Sequence, residues 1–132
     1  MTRLHTFRLL PDQDLYDEIQ HFVEVRNIQA GVILSAVGSL THAMLRLANR
    51  STYTELRGPF EIVSMTGTVS IHGSHLHIAI SDGEGKTLGG HLVSGCKIYT
   101  TAEIVIAELE EVVYRREPCA RSGYAELVVT PR

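Results

Sequence analysis

The chain has 132 residues, of which 44% are hydrophobic and 20% charged, with a formal net charge of −3 and two cysteines. That length supports one domain with a real core, and the composition excludes a disordered chain. The acidic balance gives no bulk attraction for nucleic acid, two thiols make no disulfide framework, and the longest uncharged apolar run, residues 31–40, is too short to span a bilayer. Residues 1–5 lack a secretory apolar stretch, so a cytoplasmic protein with free thiols is expected.

In chain order, residues 3–10 predict a first strand that Pro11 ends. Asp12 or Asp14 then offers a helix N-cap, and Leu15, Ile19, Phe22 and Val23 recur at helical spacing. Residues 12–28 therefore predict one amphipathic helix ending near Asn27, with His21 on its surface. Residues 32–37 are apolar on both faces and fit a central strand, with Gly38-Ser39 as its end. Residues 43–48 follow as a second extended piece, with His42 in the turn before it, and a polar link leads to a short strand at 53–57. Gly58-Pro59 breaks the pattern. Residues 60–72 then form one long strand or two, bent at Gly67. Beyond Gly95, β-branched residues from Ile98 to Val113 predict the longest strand, 97–114, with helical propensity competing in the segment AELEEV. Residues 115–123 read as a surface loop, and 124–130 as a last strand.

The order strand, helix, then many strands at short spacing predicts a single α+β domain over residues 1–132: a largely antiparallel β-sheet with one main amphipathic helix. One helix covers only part of one sheet face. Strands as apolar as 98–106 need another cover, and self-association supplies it.

The chemistry concentrates in residues 73–91, GSHLHIAISDGEGKTLGGH. In a strand, positions i and i+2 share a face. His75 and His77 therefore project together, while Leu76, Ile78 and Ile80 face the core. Reversal near Glu84 sets position 77 opposite 91, and reversal near Gly83 sets 75 opposite 91. Either register brings His91 beside the pair, and a bulge at Gly89-Gly90 could re-aim it. Three neutral imidazoles with an open position are the ligand pattern of a catalytic zinc site. Glu61, Glu103, Arg46 and Arg57 are candidates for orientation and proton transfer around such a metal, Glu103 being equally readable as a buried structural carboxylate. The chain holds neither a G-x-S-x-G nucleophile motif nor a phosphate-binding GxxxxGK[ST] loop.

The run from Gly73 through His75-Leu76-His77-Ile78, Ser81-Asp82 and Gly89-Gly90-His91-Leu92, then 101–106, resembles the plant and prokaryote conserved (PPC) domain family. Upstream, Val37-Gly38-Ser39-Leu40 and residues 58–64 match it in order. The resemblance implies an antiparallel sheet with flanking helices, assembled as a homotrimer. It extends to a superfamily including acetolactate decarboxylase, in which three histidines hold zinc. Plant members carry an AT-hook that is not found in these 132 residues, and they have Gly-Arg-Phe-Glu-Ile where this chain has Gly58-Pro59-Phe60-Glu61-Ile62.

Three functions follow as expectations. The first is a zinc site at His75, His77 and His91 that binds or transforms a small molecule, as a zinc-dependent lyase or hydrolase if it turns over. The second is the DNA-binding or transcription-associated role by which prokaryotic members are often labelled, with Arg115, Arg116 and Arg121 as a local basic patch. The third is a non-catalytic trimeric scaffold. The net charge speaks against nucleic acid as a partner of the isolated chain.

Overall fold

A computed structural model describes all 132 residues. Eight strands and one helix follow in the order β1 (Thr2–Leu9), α1 (Leu15–Val25), β2 (Gly31–Arg46), β3 (Thr54–Val69), β4 (His75–Ser81), β5 (Thr87–Leu92), β6 (Lys97–Leu109), β7 (Val112–Pro118) and β8 (Ala125–Pro131). This is the expected α+β architecture. A six-stranded antiparallel sheet runs β1-β6-β2-β3-β4-β5, and β7-β8 form a separate hairpin.

The helix forms where the capping chemistry allows it. Asp14 Oδ1 accepts from the Asp17 amide at 3.0 Å, and Asp14 Oδ2 accepts from the Gly95 and Cys96 amides at 2.6 and 3.1 Å. One carboxylate thus caps α1 and ties it to the β5–β6 loop. Asn27 adopts a φ of 53° just past the Arg26 C-cap, which ends the helix. Leu15, Ile19 and Val23 are completely buried against the sheet, each stabilising by about 1.5–3 kcal/mol through apolar burial. Phe22 stacks on Phe7 with ring centroids 4.0 Å apart.

Strand β2 is the spine. It pairs with β3 on one side and β6 on the other, and at its C-terminal end Leu45 and Arg46 pair with Leu92 and His91 of β5. Strands β2, β3, β4 and β5 therefore close on one another around Leu40, Leu45, Phe60, Leu76, Ile78 and Ile80, all within the main core. The other side of the sheet is less well covered. Leu4, Leu34, Val37 and Val63 on its outer face are each more than half exposed.

Several boundaries differ from the sequence expectation. Gly38-Ser39 does not end a strand. Gly38 sits inside the sixteen-residue β2 at a φ of 156°, where an added Cβ would meet the Thr101 carbonyl oxygen at 2.1 Å. Gly58-Pro59, a cis peptide, lies within the equally continuous β3 beside a register shift rather than between two strands. His42 is on β2, not in a turn, and His72 is in the turn after β3. The predicted strand 97–114 folds back at Glu110-Glu111 into β6 and β7, so Arg115 and Arg116 are strand residues, not loop. Both cysteines are free; burial raises the Cys96 thiol to about 11, so it stays protonated. No helix is long and apolar enough to cross a membrane.

Candidate metal centre

The β4–β5 hairpin owes its register to its turn. Asp82 Oδ1 accepts from the Glu84 and Lys86 amides at 2.9 and 3.0 Å, and the Asp82 amide donates to the Lys86 carbonyl at 2.9 Å. Gly85 supplies the left-handed residue at a φ of 82°. The reversal therefore centres on Glu84. His77 pairs with His91, Ile78 with Gly90 and Ala79 with Gly89, without a register shift. The Gly-Gly step is not a bulge. A Cβ at Gly89 would lie 2.3 Å from the Ile78 carbonyl oxygen, and one at Gly90 would lie 2.8 Å from that of Arg46. Glycine is required because β5 is pressed between β4 and β2.

That geometry gathers the three imidazoles outside the closed strands. Leu76, Ile78 and Ile80 are buried on the inner face, which leaves His75 and His77 on the outer one. Ring centroids of His77 and His91 are 4.4 Å apart, and His75 lies 5.0 Å from each. One ligand nitrogen from each ring fits within 4.8 Å of the others. The histidines whose rings hydrogen-bond within the chain are His5, His42 and His72; the hairpin three keep their nitrogens free. Three neutral nitrogen donors with an open side suit a divalent metal such as zinc.

Two arginines approach the trio. Arg46 is the cross-strand neighbour of His91, and it lines hollows of about 360 and 410 Å³ on either side of the hairpin. Arg116 of β7 donates to the Thr68 hydroxyl at 3.0 Å. Thr68 is in turn directly opposite His75. Burial pushes the His75 pKa down, helped by His77 and Arg116 and opposed by Glu126 of β8. Burial also lowers the pKa of His91, with Arg46 next in weight. Both rings are therefore neutral, the ligating form, at a pH where a free histidine begins to protonate.

The other candidates lie elsewhere. Glu61 is exposed on β3 opposite Ser39 and Ser81, at the turn end of β4 and away from His75 and His77. Glu103 is exposed on the outer face of β6, flanked by Arg8 and Val37, and is not a buried structural carboxylate. Arg57 pairs with His42 in the β2–β3 ladder. Arg46 alone of the four adjoins the histidines. Sequence reading missed Arg116, Glu126 and Thr68. The alternation Val112, Tyr114, Arg116 was the available signal, masked by the neighbouring Arg115 and Glu117 that made the segment look like loop. Nor do Arg115 and Arg116 form one patch: Arg115 reaches toward His72 at 3.4 Å and Arg116 toward Thr68.

The Plants and Prokaryotes Conserved (PCC) domain matches residues 1–110, and the chain belongs to that family. Over 125 residues it is 47% identical to the bifunctional protein GlmU of Synechococcus sp. (strain JA-3-3Ab), a match covering 95% of this chain and 20% of GlmU. The chain thus spans about a fifth of the length of the GlmU relatives it matches. A Salmonella cholerae-suis protein of known structure is 42% identical and superposes with a TM-score of 0.98, covering 100% of this chain and 96% of that one. A metal-containing protein from Archaeoglobus fulgidus is 26% identical, with a TM-score of 0.84 over 96% of this chain and 93% of its own.

Proposed function

We propose that His75, His77 and His91 hold one divalent metal, zinc, and that the site takes a small anionic molecule. The observation that carries this is the convergence of three unpartnered imidazoles within 4.8 Å on two paired strands. The metal-containing Archaeoglobus relative supports it. A bound zinc ion would supply Lewis acidity toward an oxygen of the ligand. Arg46 and Arg116 supply what the chain itself contributes: guanidiniums on the histidine face that attract and orient a carboxylate or phosphate. Glu61 and Glu103 stand away from the trio, so the primary assignment is a ligand-binding metal site. Turnover as a lyase or hydrolase requires a proton-transfer group within reach, and Glu126 is the carboxylate whose charge acts on His75.

The chain is further proposed to assemble as a homotrimer that covers the exposed Leu34, Val37 and Val63, and to work in the cytoplasm. Twelve basic against fifteen acidic residues leave the isolated chain without specific affinity for duplex DNA. Protein purified without an affinity tag or added metal should contain about one zinc per chain by elemental analysis. Light scattering should report about three chains of 14.6 kDa per particle. Metal-free protein that also fails to take up added zinc would remove the central assignment. Salt-dependent, sequence-selective DNA binding would replace it.

A further inference from the structure

The two hollows that flank the histidine hairpin share Arg46 and His91 and differ in everything else that lines them. The one of about 410 Å³ is walled by Ala48, Ser64, Thr66, Ala79, Gly89 and Gly90, with no aromatic side chain. The one of about 360 Å³ reaches the first turn of α1, where Tyr16, Tyr53 and Val93 give it an apolar wall backed by the buried Leu76 and Leu92. Local chemistry sets that wall in place. Asp14 accepts from the Gly95 and Cys96 amides, and Asp17 accepts from the Ser94 hydroxyl at 2.5 Å, so the first turn of α1 is fastened to the loop that follows His91 and Leu92. Tyr16, between the two aspartates, is carried there with them.

Tyr16 is half-buried and packs on the main core, and its hydroxyl has no hydrogen-bond partner in the chain. Burial raises its pKa, with Asp17 and then Glu24 adding to the effect, so the hydroxyl stays protonated as a donor. The Ser74 and Ser94 hydroxyls at the same hollow already donate to Gln20 and Asp17, which leaves Tyr16 as the half-buried hydroxyl without an acceptor. Tyr53, in the link between β2 and β3, is 61% exposed. Half-buried Arg46 stands at this hollow with His75 and His91. A bare anion does not fill such a space: ~150 Å³ holds a benzene ring, and the remainder takes a head group. A ligand with its charge at Arg46 and the metal finds aromatic surface on the α1 side alone of these two hollows. We infer, resting on the metal site proposed above, that its ligand is an arylalkyl carboxylate, with the carboxylate held by the metal and Arg46 and the ring lying against Tyr16 and Tyr53.

The test is calorimetric titration of the intact, zinc-loaded protein with acetate, phenylacetate and the neutral phenylacetamide. Phenylacetate should bind about tenfold or more tightly than acetate, as burial of one ring gives. Phenylacetamide, which lacks the anion, should bind about tenfold or more weakly than phenylacetate. Tyr16→Ala and Tyr53→Ala should each erase most of the preference for phenylacetate over acetate. Circular dichroism checks folding, and Tyr53→Ala, in an exposed link, carries the test if Tyr16→Ala does not fold. Zinc content is measured in the same samples. No binding of phenylacetate by zinc-loaded protein, equal affinity for acetate or for the amide, or a preference undiminished in both variants would each overturn the inference and leave the metal site standing. Protein that takes up no zinc would overturn the metal site, and this inference with it.

Discussion

Two histidine sites in this chain, the lone His5 and the hairpin trio, have the same side chain and opposite fates. His5 is committed: one ring nitrogen is held by Glu108 at 2.9 Å, and the ring edge packs on Phe22 at 5.7 Å. The rings of His75, His77 and His91 make no such bond: the arginines near them, Arg46 beside His91 and Arg116 near His75, cannot accept from an imidazole, and Glu126 acts on His75 through its charge alone. Their nitrogens stay free and converge on one another. A free ring is needed but is not enough: His21 on the exposed side of α1 also lacks a ring partner, and only the hairpin three both keep their nitrogens and bring them together.

The largest effect should come from removing one histidine from each site. His77→Ala leaves two nitrogens, and zinc affinity should fall by more than the ~10–100-fold typical of losing a supporting partner rather than a ligand. His5→Ala should retain full metal content. Elemental analysis after dialysis against a weak chelator reads both, and equal metal in the two variants would erase the distinction.

Next in size is a change that touches no ligand. Gly67 of β3 holds a φ of 143°, and an added Cβ would meet the His75 carbonyl oxygen at 2.0 Å. Gly67→Ala should cost about 3 kcal/mol or more from backbone strain and overpacking. It should also weaken metal binding by pushing β3 away from His75. Denaturant unfolding of the metal-free protein measures the first effect and zinc titration the second. Unchanged stability would mean that the strand pairing here is loose and the cluster less preorganised than described.

On the other side of the comparison, Glu108→Gln keeps the shape but removes the charge that His5 and Arg132 share. A loss of about 1–2 kcal/mol is expected from the weakened buried hydrogen bond, with zinc uptake unaltered. A drop in metal content without a drop in stability would reverse the roles assigned to the two sites.

How far the sequence reached follows from these same residues. The HxH spacing placed His75 and His77 on one face, because strand periodicity is local. Counting through the turn gave the His77–His91 pairing as one of two registers, and the Asp82 turn chose between them. The helix was legible from Asp14 and the Leu15, Ile19, Val23 stripe. Glycines misled where they look like breaks: Gly38 and Gly58 sit inside long strands because neighbouring backbone comes too close for a Cβ, a tertiary fact with no local signature. Arg116 escaped for the complementary reason. Its place beside His75 depends on the β7–β8 hairpin folding back over Thr68, which no pattern within residues 112–118 records.

The smallest predicted effect is electrostatic and tests why the hairpin imidazoles are available at all. His75 and His91 are held below the usual 6.5 by burial first, and in His91 by Arg46 next. A lowered pKa means that protons compete with the metal only at lower pH, so zinc occupancy should fall at a midpoint below that of free imidazole. In the metal-free protein the same shift contributes stability that is fully present above 6.5 and is lost as pH falls through the lower folded-state value. Arg46→Gln removes one repelling charge, lets the His91 pKa move back up, and should raise the occupancy midpoint. The displacement should be modest because these groups are largely exposed and screened, and added salt should move the wild type in the same direction. Equilibrium dialysis against zinc across the histidine range measures it. A midpoint that stays put or moves down in Arg46→Gln would show that Arg46 faces away from the imidazoles, and its part in orienting an anionic ligand would go with it.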